Sequence, residues 1–377
     1  MAGIYLHIPF CKQACYYCDF HFSTSLKKKE ELINALAKEL QLRKDEFKNT
    51  AVETIYFGGG TPSLLTNDEL QFLIDAVYKN FNVIEKPEIT LEANPDDLSK
   101  DRLVELSKSQ INRLSIGIQS FFDSDLKLMN RAHNAEEAHI CLEQATTYFD
   151  NISLDLIYGI PGASNEQWLE NIETALRYTI PHISSYALTV EPKTALASFI
   201  QKGIIEAVDD DKAHEQFHIL KDKLEAEGFT HYELSNFGKE GYFSKNNSAY
   251  WQGKPYLGIG PSAHSFNGQQ RGWNVRNNIK YIKAIQNNTL PMETETLTKT
   301  DQYNEYIMTG LRTIWGVSFI KIQRDFGKIY LDYLIDQAQV FINQHLLYID
   351  NEHLKVTKKG QFLSDGIASE LFKLNLS

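Results

Sequence analysis

Short runs of aliphatic and β-branched residues alternate with longer amphipathic stretches through the first half of the chain. Six of these runs are predicted strands, and in chain order they read GIYLHI, TIYFG, EITLEA, RLSIGIQ, ISLDLIYGI and ISSYALTV. They begin near residues 3, 54, 88, 113, 152 and 183. The intervening stretches are long enough for one helix per crossover, which predicts a parallel sheet. Six β/α units in a row favour an α/β fold with an incomplete parallel (β/α)6 barrel over a doubly wound sheet.

The last part of the chain follows a different pattern. From about residue 298 onward, three helical segments surround a predicted hairpin, LLYIDNEHLKV, with Asp350-Asn351 as its turn. This layout is typical of a small α+β, winged-helix-like domain. We therefore predict a barrel over 1–235, a connecting segment over 236–297 and a C-terminal domain over 298–377.

Composition and charge narrow the class of protein. The 377 residues are 42% hydrophobic and 23% charged, as in a soluble globular protein. The formal net charge of −11 argues against nucleic acid as a partner, because phosphate contacts need clustered Lys and Arg. No apolar run reaches the roughly 18 residues that a membrane span requires, and the first residues lack the pattern of a signal peptide. We therefore expect a cytoplasmic protein without a membrane span.

Cys11, Cys15 and Cys18 form the motif Cys-x3-Cys-x2-Cys and are three of the four cysteines in the chain. Thiolates are soft ligands that suit iron–sulfur clusters or zinc. A closed zinc site needs four ligands, and although Asp19 or His21 could add one, the usual second cysteine pair is missing. Three thiolates on a [4Fe–4S] cluster leave one iron open, which can chelate S-adenosylmethionine (SAM). We therefore predict a cluster at these three cysteines.

Glycines and polar residues gather where the predicted strands end. In a β/α barrel the active site is built at this end, from the loops that follow the strands. Glycines would let the backbone approach the methionine end of the cofactor, with a tight strand–helix turn as the alternative. The polar side chains could bond its ammonium, ribose or adenine groups, although single buried polar residues are more often simply satisfied by the protein. The cofactor candidates at this rim are Gly58, Gly59, Gly60, Thr61, Glu92, Gln119 and Asp155.

Five segments together resemble the HemN/HemW branch of the radical SAM superfamily, namely YLHIPFCKQACYYCDF, FGGGTPSLL, EANP, GIQSF and DLIYGIPG. The resemblance continues through YLGIGPSAHSF (256–266) into the C-terminal domain. It implies a partial β/α barrel, a [4Fe–4S] cluster and bound SAM. The residues at positions that contact the cofactor in this branch are Tyr5, Tyr17, Gly59, Glu92, Gln119, Arg131 and Asp155.

Two activities divide this branch. The HemN type is an oxygen-independent coproporphyrinogen III dehydrogenase, which converts two propionates to vinyl groups with a 5′-deoxyadenosyl radical, and the HemW type is a haem chaperone. Phe20 stands where the dehydrogenases carry a further cysteine, and no extended arm precedes Cys11. In addition, KNNSAYW (245–251) resembles the HemW signature His-Asn-x-x-Tyr-Trp. The resemblance therefore implies a chaperone with haem as cargo, an acceptor protein and a one-electron donor, and the dehydrogenase is the alternative.

The signature-like segment departs from the pattern at its first position, where Asn246 replaces histidine. Asparagine is a poor haem ligand, because haem iron is typically held by His, Cys, Met or Tyr. Tyr250 or His264 could take its place as the axial ligand. The haem candidates are therefore Asn247, Tyr250, Trp251 and His264, and the alternative for the first three is an aromatic turn that packs on the barrel.

His214, Glu215 and His218 match the H-E-x-x-H pattern on a predicted helix. In metalloproteases this spacing places both histidines on one face for zinc, with the glutamate as general base. The motif is short, and no third zinc ligand follows at a recognised spacing. A zinc hydrolase is therefore a remote alternative, and a surface helix is the better interpretation.

Overall fold

The computed structural model describes residues 2–374, and its largest element is a mixed sheet of twelve strands. The six predicted strands lie side by side and parallel in this sheet as β1 (Ala2–Ile8), β2 (Val52–Gly59), β3 (Val83–Ala93), β4 (Arg113–Gln119), β5 (Ile152–Tyr158) and β6 (His182–Ala187). The α/β class predicted from the sequence is confirmed.

The crossovers between these strands contain helices, as the spacing predicts. The helices within residues 2–235 are α1 (Lys29–Leu42), α2 (Asn67–Asn80), α3 (Lys100–Ser107), α4 (Asp123–Leu128), α5 (Ala135–Tyr148), α6 (Asn165–Arg177), α7 (Ala195–Gln201) and α8 (Asp210–Ala226). Thr66 and Glu69 form a reciprocal capping box at the start of α2, and Asn134 and Glu137 form another at the start of α5. Each box satisfies two backbone N–H groups that a helix start leaves free, which fixes where these helices begin.

Strands that the sequence pattern did not predict extend both edges of the parallel sheet. In chain order the elements are β7 (Thr230–Glu233), β8 (Asn236–Gly238), α9 (Lys245–Trp251), β9 (Tyr256–Ile259), β10 (His264–Phe266), β11 (Gln270–Asn274), α10 (Asn278–Gln286) and β12 (Met292–Thr296). Antiparallel β8 and β7 continue the sheet beyond β6, while β9 pairs parallel to β1 and is followed by antiparallel β10, β11 and β12. Within the described residues the parallel strands therefore number seven, one more than predicted. Much of the predicted connecting segment 236–297 belongs to this sheet, and the division of the chain at 235 and 297 remains a prediction.

A buried polar network joins this extension to the first helix. The Glu39 carboxylate of α1 is fully buried and accepts hydrogen bonds, at 2.5–3.1 Å, from Arg43 Nη1, Asn274 Nδ2, the Gly260 amide and the Tyr281 hydroxyl. A buried charge is tolerated only when it is paired and hydrogen-bonded, and this one is both. The network therefore anchors the added strands against α1.

The sheet curves into an incomplete barrel. Tyr56 of β2 and Asn236 of β8 line one internal cavity, although five strand spacings separate their strands in the sheet. In a flat sheet these strands would be about 24 Å apart, because neighbouring strands lie about 4.8 Å from each other. The parallel strands therefore enclose an interior, and their carboxyl ends meet at one rim.

The C-terminal residues pack around a hydrophobic cluster of their own. Their elements are α11 (Lys299–Leu311), β13 (Val317–Ser318), α12 (Phe319–Asp325), α13 (Lys328–Asn343), β14 (Leu347–Asp350), β15 (His353–Val356) and α14 (Ser364–Glu370). The predicted hairpin is present as β14 and β15, and β13 adds a third strand on the far side of β15. Its turn falls at Asn351-Glu352, one residue later than predicted, where both residues have the positive φ typical of a type I′ turn.

Across residues 2–374, no helix is both long enough and apolar enough to cross a lipid bilayer.

Candidate functional site

A cavity of about 610 Å³ opens at the carboxyl ends of the parallel strands. Its wall is formed by the loop after β1, the glycine turn after β2 and the ends of β3 to β6. The predicted cluster and cofactor residues that line it are Cys11, Cys15, Cys18, Tyr17, Gly59, Gly60, Thr61, Glu92, Gln119, Arg131 and Asp155. The structure therefore gathers side chains that are spread over some 145 residues of sequence, as expected for a barrel active site.

Two predicted cofactor residues, Tyr5 and Gly58, lie beneath this cavity and not in its wall. The Tyr5 ring stacks on Tyr56 with ring centres 5.9 Å apart, and its hydroxyl lies 3.2 Å from His7 Nδ1. A Cβ at Gly58 would come within 2.7 Å of the Tyr5 ring, so this packing requires glycine. Tyr5 and Gly58 thus support the floor of the cavity.

Hydrogen bonds hold the cysteine loop against the barrel. The Cys11 amide donates to the Ser23 carbonyl oxygen at 3.1 Å, and Arg131 Nη1 lies 3.4 Å from Cys15 Sγ. Burial raises the pKa of the Cys11 thiol to about 11, and burial also raises the pKa of Cys18. These thiols therefore become thiolates only when a bound metal displaces the proton.

The three thiols of the loop suit an iron–sulfur cluster. Cys11, Cys15 and Cys18 all line the same cavity and are partly exposed. Thiolates are the soft ligands that iron–sulfur clusters use, and three of them leave one iron of a [4Fe–4S] cluster open.

Two polar groups in the cavity wall lack a partner within the protein. Gln119 Oε1 and Arg131 Nε are buried and make no hydrogen bond among the described residues. Gln119 also has a φ of 69°, a left-handed backbone conformation that residues other than glycine rarely adopt. Strained backbone and unmet hydrogen bonds cluster at sites that a ligand completes. Gly60 packs directly against the backbone that leads into the cysteine loop. A Cβ at this position would lie 2.6 Å from the Phe10 carbonyl oxygen, so only glycine fits there.

Glu92 and Asp155 place two carboxyl groups at the floor of the cavity. Glu92 accepts hydrogen bonds from the Tyr56 hydroxyl at 2.8 Å and the Gly59 amide at 3.1 Å. Burial raises the pKa of Glu92 to about 7, and the charge of Asp155 adds to the rise. Burial likewise raises the pKa of Asp155 to about 7. A pair of buried carboxyl groups that are costly to ionise suits a ligand with a cationic group.

Sequence reasoning predicted Arg131 at this site but missed its neighbours Ser115 and Gly117 in the cavity wall. Arg131 Nη2 donates to Asn94 Oδ1 at 2.7 Å and to the Gly117 carbonyl oxygen at 3.0 Å, which fixes the guanidinium beside the cysteine loop. Ser115 and Gly117 line the cavity together with Gln119. Because alternate residues of a strand face the same side, the position of Gln119 on β4 could have identified both of them.

Comparison with known proteins identifies the family of the chain. A model of the radical SAM superfamily matches residues 5–175, and a model of the HemN C-terminal domain matches residues 297–363. The heme chaperone HemW of Bacillus subtilis strain 168 is 34% identical over 379 residues, which cover 97% of this chain and 98% of that protein. The heme chaperone HemW of Lactococcus lactis is 34% identical over 364 residues, which cover 96% of this chain and 95% of that protein. The chain belongs to the HemW family.

A solved structure supports the fold of this HemW-family chain. It is the coproporphyrinogen III oxidase HemN of Escherichia coli, described as a radical SAM enzyme, and it superimposes with a TM-score of 0.85 at 22% identity. The match covers 99% of this chain and 90% of that structure. The predicted radical SAM fold with a HemN-like C-terminal domain is thereby confirmed.

The signature-like segment of the HemW family forms helix α9, which lies at the opposite end of the barrel from the cysteines. Asn246 Oδ1 accepts a hydrogen bond from Thr54 near the start of β2, and the Asn246 amide donates to the Glu88 carboxylate near the amino end of the parallel part of β3. Gly59, in the cavity wall, is five residues further along β2, which corresponds to about 16 Å. The predicted haem residues and the predicted cluster residues therefore lie at two separate places.

The four haem candidates do not all meet. Tyr250 and Trp251 lie side by side with ring centres 5.1 Å apart, and Tyr250 is 50% exposed. Asn247 instead lines a polar cavity inside the barrel. His264 lies on β10 opposite Trp273, with ring centres 6.3 Å apart. Of the four candidates, only Tyr250 and Trp251 have rings that lie together, and the Tyr250 ring is the exposed one.

The H-E-x-x-H segment lies on α8. His214 and His218 approach to 3.1 Å between their Nε2 atoms, and Glu215 accepts a hydrogen bond from Asn165 at 3.0 Å. No third potential ligand joins this pair around one point in the described part of the chain. The carboxylate that a hydrolase would use as general base is engaged by a neighbouring surface residue, which favours the surface-helix interpretation.

Proposed function

We propose that this protein is a haem chaperone that holds a [4Fe–4S] cluster and SAM at the carboxyl ends of its barrel and passes haem to an acceptor protein. The observation that carries the proposal is near-full-length similarity to two HemW proteins, combined with three thiols that face one polar cavity. A cytoplasmic location, a one-electron donor and the haem acceptor itself remain predictions.

The residues present fit a cluster with SAM. The thiols of Cys11, Cys15 and Cys18 are the soft donors that iron prefers. The unpartnered Gln119 Oε1 and Arg131 Nε are available to polar groups of a nucleoside and an amino acid. When both groups are bound, a reduced cluster supplies the electron that can cleave a C–S bond of SAM.

Each side chain has a definite part in binding. The three cysteines would hold the cluster, and Glu92 and Asp155 would face the cationic ammonium and the hydroxyl groups of SAM from the cavity wall. Arg131 fixes the cysteine loop through Cys15. Gly59 and Gly60 allow the turn after β2 to pack closely, since an added Cβ would lie 2.6 Å from the His7 ring or from the Phe10 carbonyl oxygen.

SAM affinity is expected to rise as pH increases from 6 to 8 in the reconstituted protein. The carboxyl group of Glu92, whose pKa is about 7, binds an ammonium group in its ionised form, so each ligand that binds below pH 7 must first displace a proton. In the absence of ligand, the free energy of unfolding depends on pH with the opposite sign. Because the folded-state pKa of Glu92 is raised, its contribution to stability is present at low pH and is lost as the pH rises through about 7. Isothermal titration of SAM across this pH range measures the effect.

Glu92→Gln is expected to weaken SAM binding and to reduce this pH dependence, leaving the smaller contribution of Asp155. Glu191→Gln is the matched control, since Glu191 lines the same cavity and is exposed to solvent. An unchanged pH profile in Glu92→Gln would show that Glu92 does not face the ammonium group.

Haem is proposed to bind at the aromatic surface of α9. Asn246, at the position of the signature histidine, is engaged with Thr54 and Glu88 and points toward the barrel. Tyr250 has a half-exposed ring, and a tyrosine oxygen is a known axial ligand of haem iron. Trp251 lies beside it, with the Arg312 guanidinium 5.3 Å from the indole centre. The Arg312 guanidinium forms a bidentate pair with the Asp365 carboxylate, so a haem propionate would have to share or displace that partner.

Tyr250→Ala and Trp251→Ala are each expected to weaken haem binding by about tenfold or more, because aromatic anchors dominate such contacts. Absorbance titration with haem measures the affinity and the stoichiometry. Tyr348→Ala is the control, since Tyr348 is similarly exposed on β14. Asn246→His is expected to leave the affinity within about twofold, because position 246 faces Thr54. Haem binding that survives loss of both aromatic residues would place the haem elsewhere.

The dehydrogenase alternative predicts a different product. Phe20, at the position of the additional cysteine, is 73% exposed at the cavity and cannot act as a thiol. We expect no decarboxylation of coproporphyrinogen III by the reconstituted, reduced protein. Conversion of a propionate to a vinyl group would overturn the chaperone proposal.

A further inference from the structure

The lower half of the barrel contains a second cavity of about 180 Å³. Barrel interiors are normally filled by bulky branched residues, but this space is lined largely by polar side chains, five of them serines. It shares Glu92 and Asp155 with the upper cavity, and its other end reaches Asn247 of α9. The two ends of the barrel are therefore joined by a polar interior.

A chain of hydrogen bonds follows this interior from Ser184 toward α9. Ser184 and Ser153 hydroxyl oxygens lie 3.4 Å apart, which is the longest link. Ser153 Oγ lies 2.7 Å from His182 Nδ1, and His182 Nε2 lies 2.8 Å from the Tyr232 hydroxyl. Burial lowers the pKa of His182 well below its usual range, so the neutral ring donates through one nitrogen and accepts through the other.

Tyr232 connects this chain to the first residue of the α9 cap. Its hydroxyl oxygen accepts a hydrogen bond from the Ser244 amide at 3.2 Å. Ser244 caps α9 by accepting from the Asn247 amide, also at 3.2 Å. The Tyr232 hydroxyl is therefore hydrogen-bonded to the residue that caps α9, the helix that carries Tyr250 and Trp251.

Ser184 provides the point at which this chain can have two states. Its hydroxyl has one proton, which it donates to Asn236 Oδ1 at 2.5 Å, and Asp155, opposite Ser184 in the pairing of β5 with β6, lines the same cavity. Asn236 in turn donates to Glu233, the residue next to Tyr232. A cationic ligand group beside Asp155 favours its carboxylate form, which then competes with Asn236 for the Ser184 proton. The Ser184–Asn236 bond, and with it the position of β7, where Tyr232 lies, is therefore expected to differ between the free and the ligand-bound protein.

We propose that Tyr232 is a positioning residue through which SAM bound at the cysteine end of the barrel changes the order of helix α9 at the other end. The identity of the two ligands rests on the proposed function, but the coupling is a property of the hydrogen-bond chain. By linkage, SAM and haem then change each other's affinity by the same factor.

Hydrogen exchange of the peptide segment 244–252 tests the coupling in the full-length protein with its oxidised cluster. Adding SAM is expected to change the exchange rate of this segment by about threefold or more in the unmodified protein. Tyr232→Phe removes the hydroxyl but keeps the ring that stacks on Phe243 at 4.3 Å, and it is expected to abolish the response while SAM affinity stays within about twofold. Tyr303→Phe is the matched control and is expected to respond fully, since its buried hydroxyl donates to Leu371 at 3.2 Å, outside the barrel.

The outcomes separate this proposal from the chaperone function. The coupling is overturned if SAM leaves the exchange rate of segment 244–252 unchanged in the unmodified protein. It is also overturned if SAM changes that rate equally in Tyr232→Phe. Because exchange is measured without haem, failure of haem to bind would overturn only the proposed function. Should Tyr232→Phe be unfolded by circular dichroism, Ser153→Ala interrupts the same chain two links nearer to Asp155 and is expected to give the same loss of response.

Discussion

Cys15→Ser is expected to leave the protein with less than about a tenth of the iron that it binds after anaerobic reconstitution, because a hydroxyl is a poor substitute for a soft thiolate ligand. Cys15 faces the cavity, and its Sγ lies 3.4 Å from Arg131 Nη1. The same loss is expected for Cys11→Ser and Cys18→Ser. Iron analysis and the visible absorbance of the cluster measure it.

Cys141 provides the matched control for this experiment. It is the fourth cysteine of the chain and lies buried on α5, where burial raises the pKa of its thiol to about 12. Cys141→Ser is expected to retain its iron. A Cys15→Ser protein that binds iron and shows cluster absorbance like the Cys141→Ser control would exclude the proposed ligand set.

Glu39→Ala is expected to lower the free energy of unfolding by about 3–5 kcal/mol, the range seen when one partner of a buried ion pair is removed. The substitution removes one of the two carboxylates that pair with the fully buried Arg43 guanidinium, which keeps its bidentate pair with Glu46. It also leaves the buried Gly260 amide, Asn274 side chain and Tyr281 hydroxyl without their acceptor. Urea denaturation followed by circular dichroism measures the change.

Asp332→Ala is the control, because Asp332 pairs with Lys328 on an exposed helix face and such pairs contribute about 0–1 kcal/mol. If Glu39→Ala does not fold, Tyr281→Phe removes one of the four donors and is expected to cost about 1–2 kcal/mol. Equal unfolding midpoints for the Glu39→Ala and Asp332→Ala proteins would show that the network does not anchor the added strands.

The central sheet could be predicted because its signals are local. Each of β1 to β6 is a run of apolar residues with a long amphipathic crossover after it, and Thr66 or Asn134 marks a helix start by its own side-chain chemistry. The added strands gave no such signal. β8 and β10 have three residues each, too few to show a hydrophobic period, and β8 also pairs with β6, which lies much earlier in the chain.

The candidate site also has a part that could be predicted from the sequence and a part that could not. The cysteines, the glycine turn and the carboxyl groups could be predicted because the carboxyl ends of parallel strands share one rim. The separation of α9 from that rim could not be predicted, because it depends on Glu88 and Thr54, which bind the helix at the other end of strands β2 and β3. A segment that follows the barrel in sequence can dock at either end of it, and only tertiary contacts decide which.

The pairing of β1 with β9 has a consequence for biosynthesis. β1 leads into the cysteine loop, and one of its neighbours, β2, ends at Gly59, whereas the other, β9, begins only at Tyr256. At translation rates of about 5–20 residues per second, the intervening stretch of roughly 200 residues takes about 10–40 s to synthesise. Throughout this interval the strand beside the cysteines has an unpaired edge, which is a template for pairing with other chains. Loading of the nascent polypeptide with iron and sulfide is thus expected after release from the ribosome, and early oxidation of the exposed thiols is expected to favour aggregation.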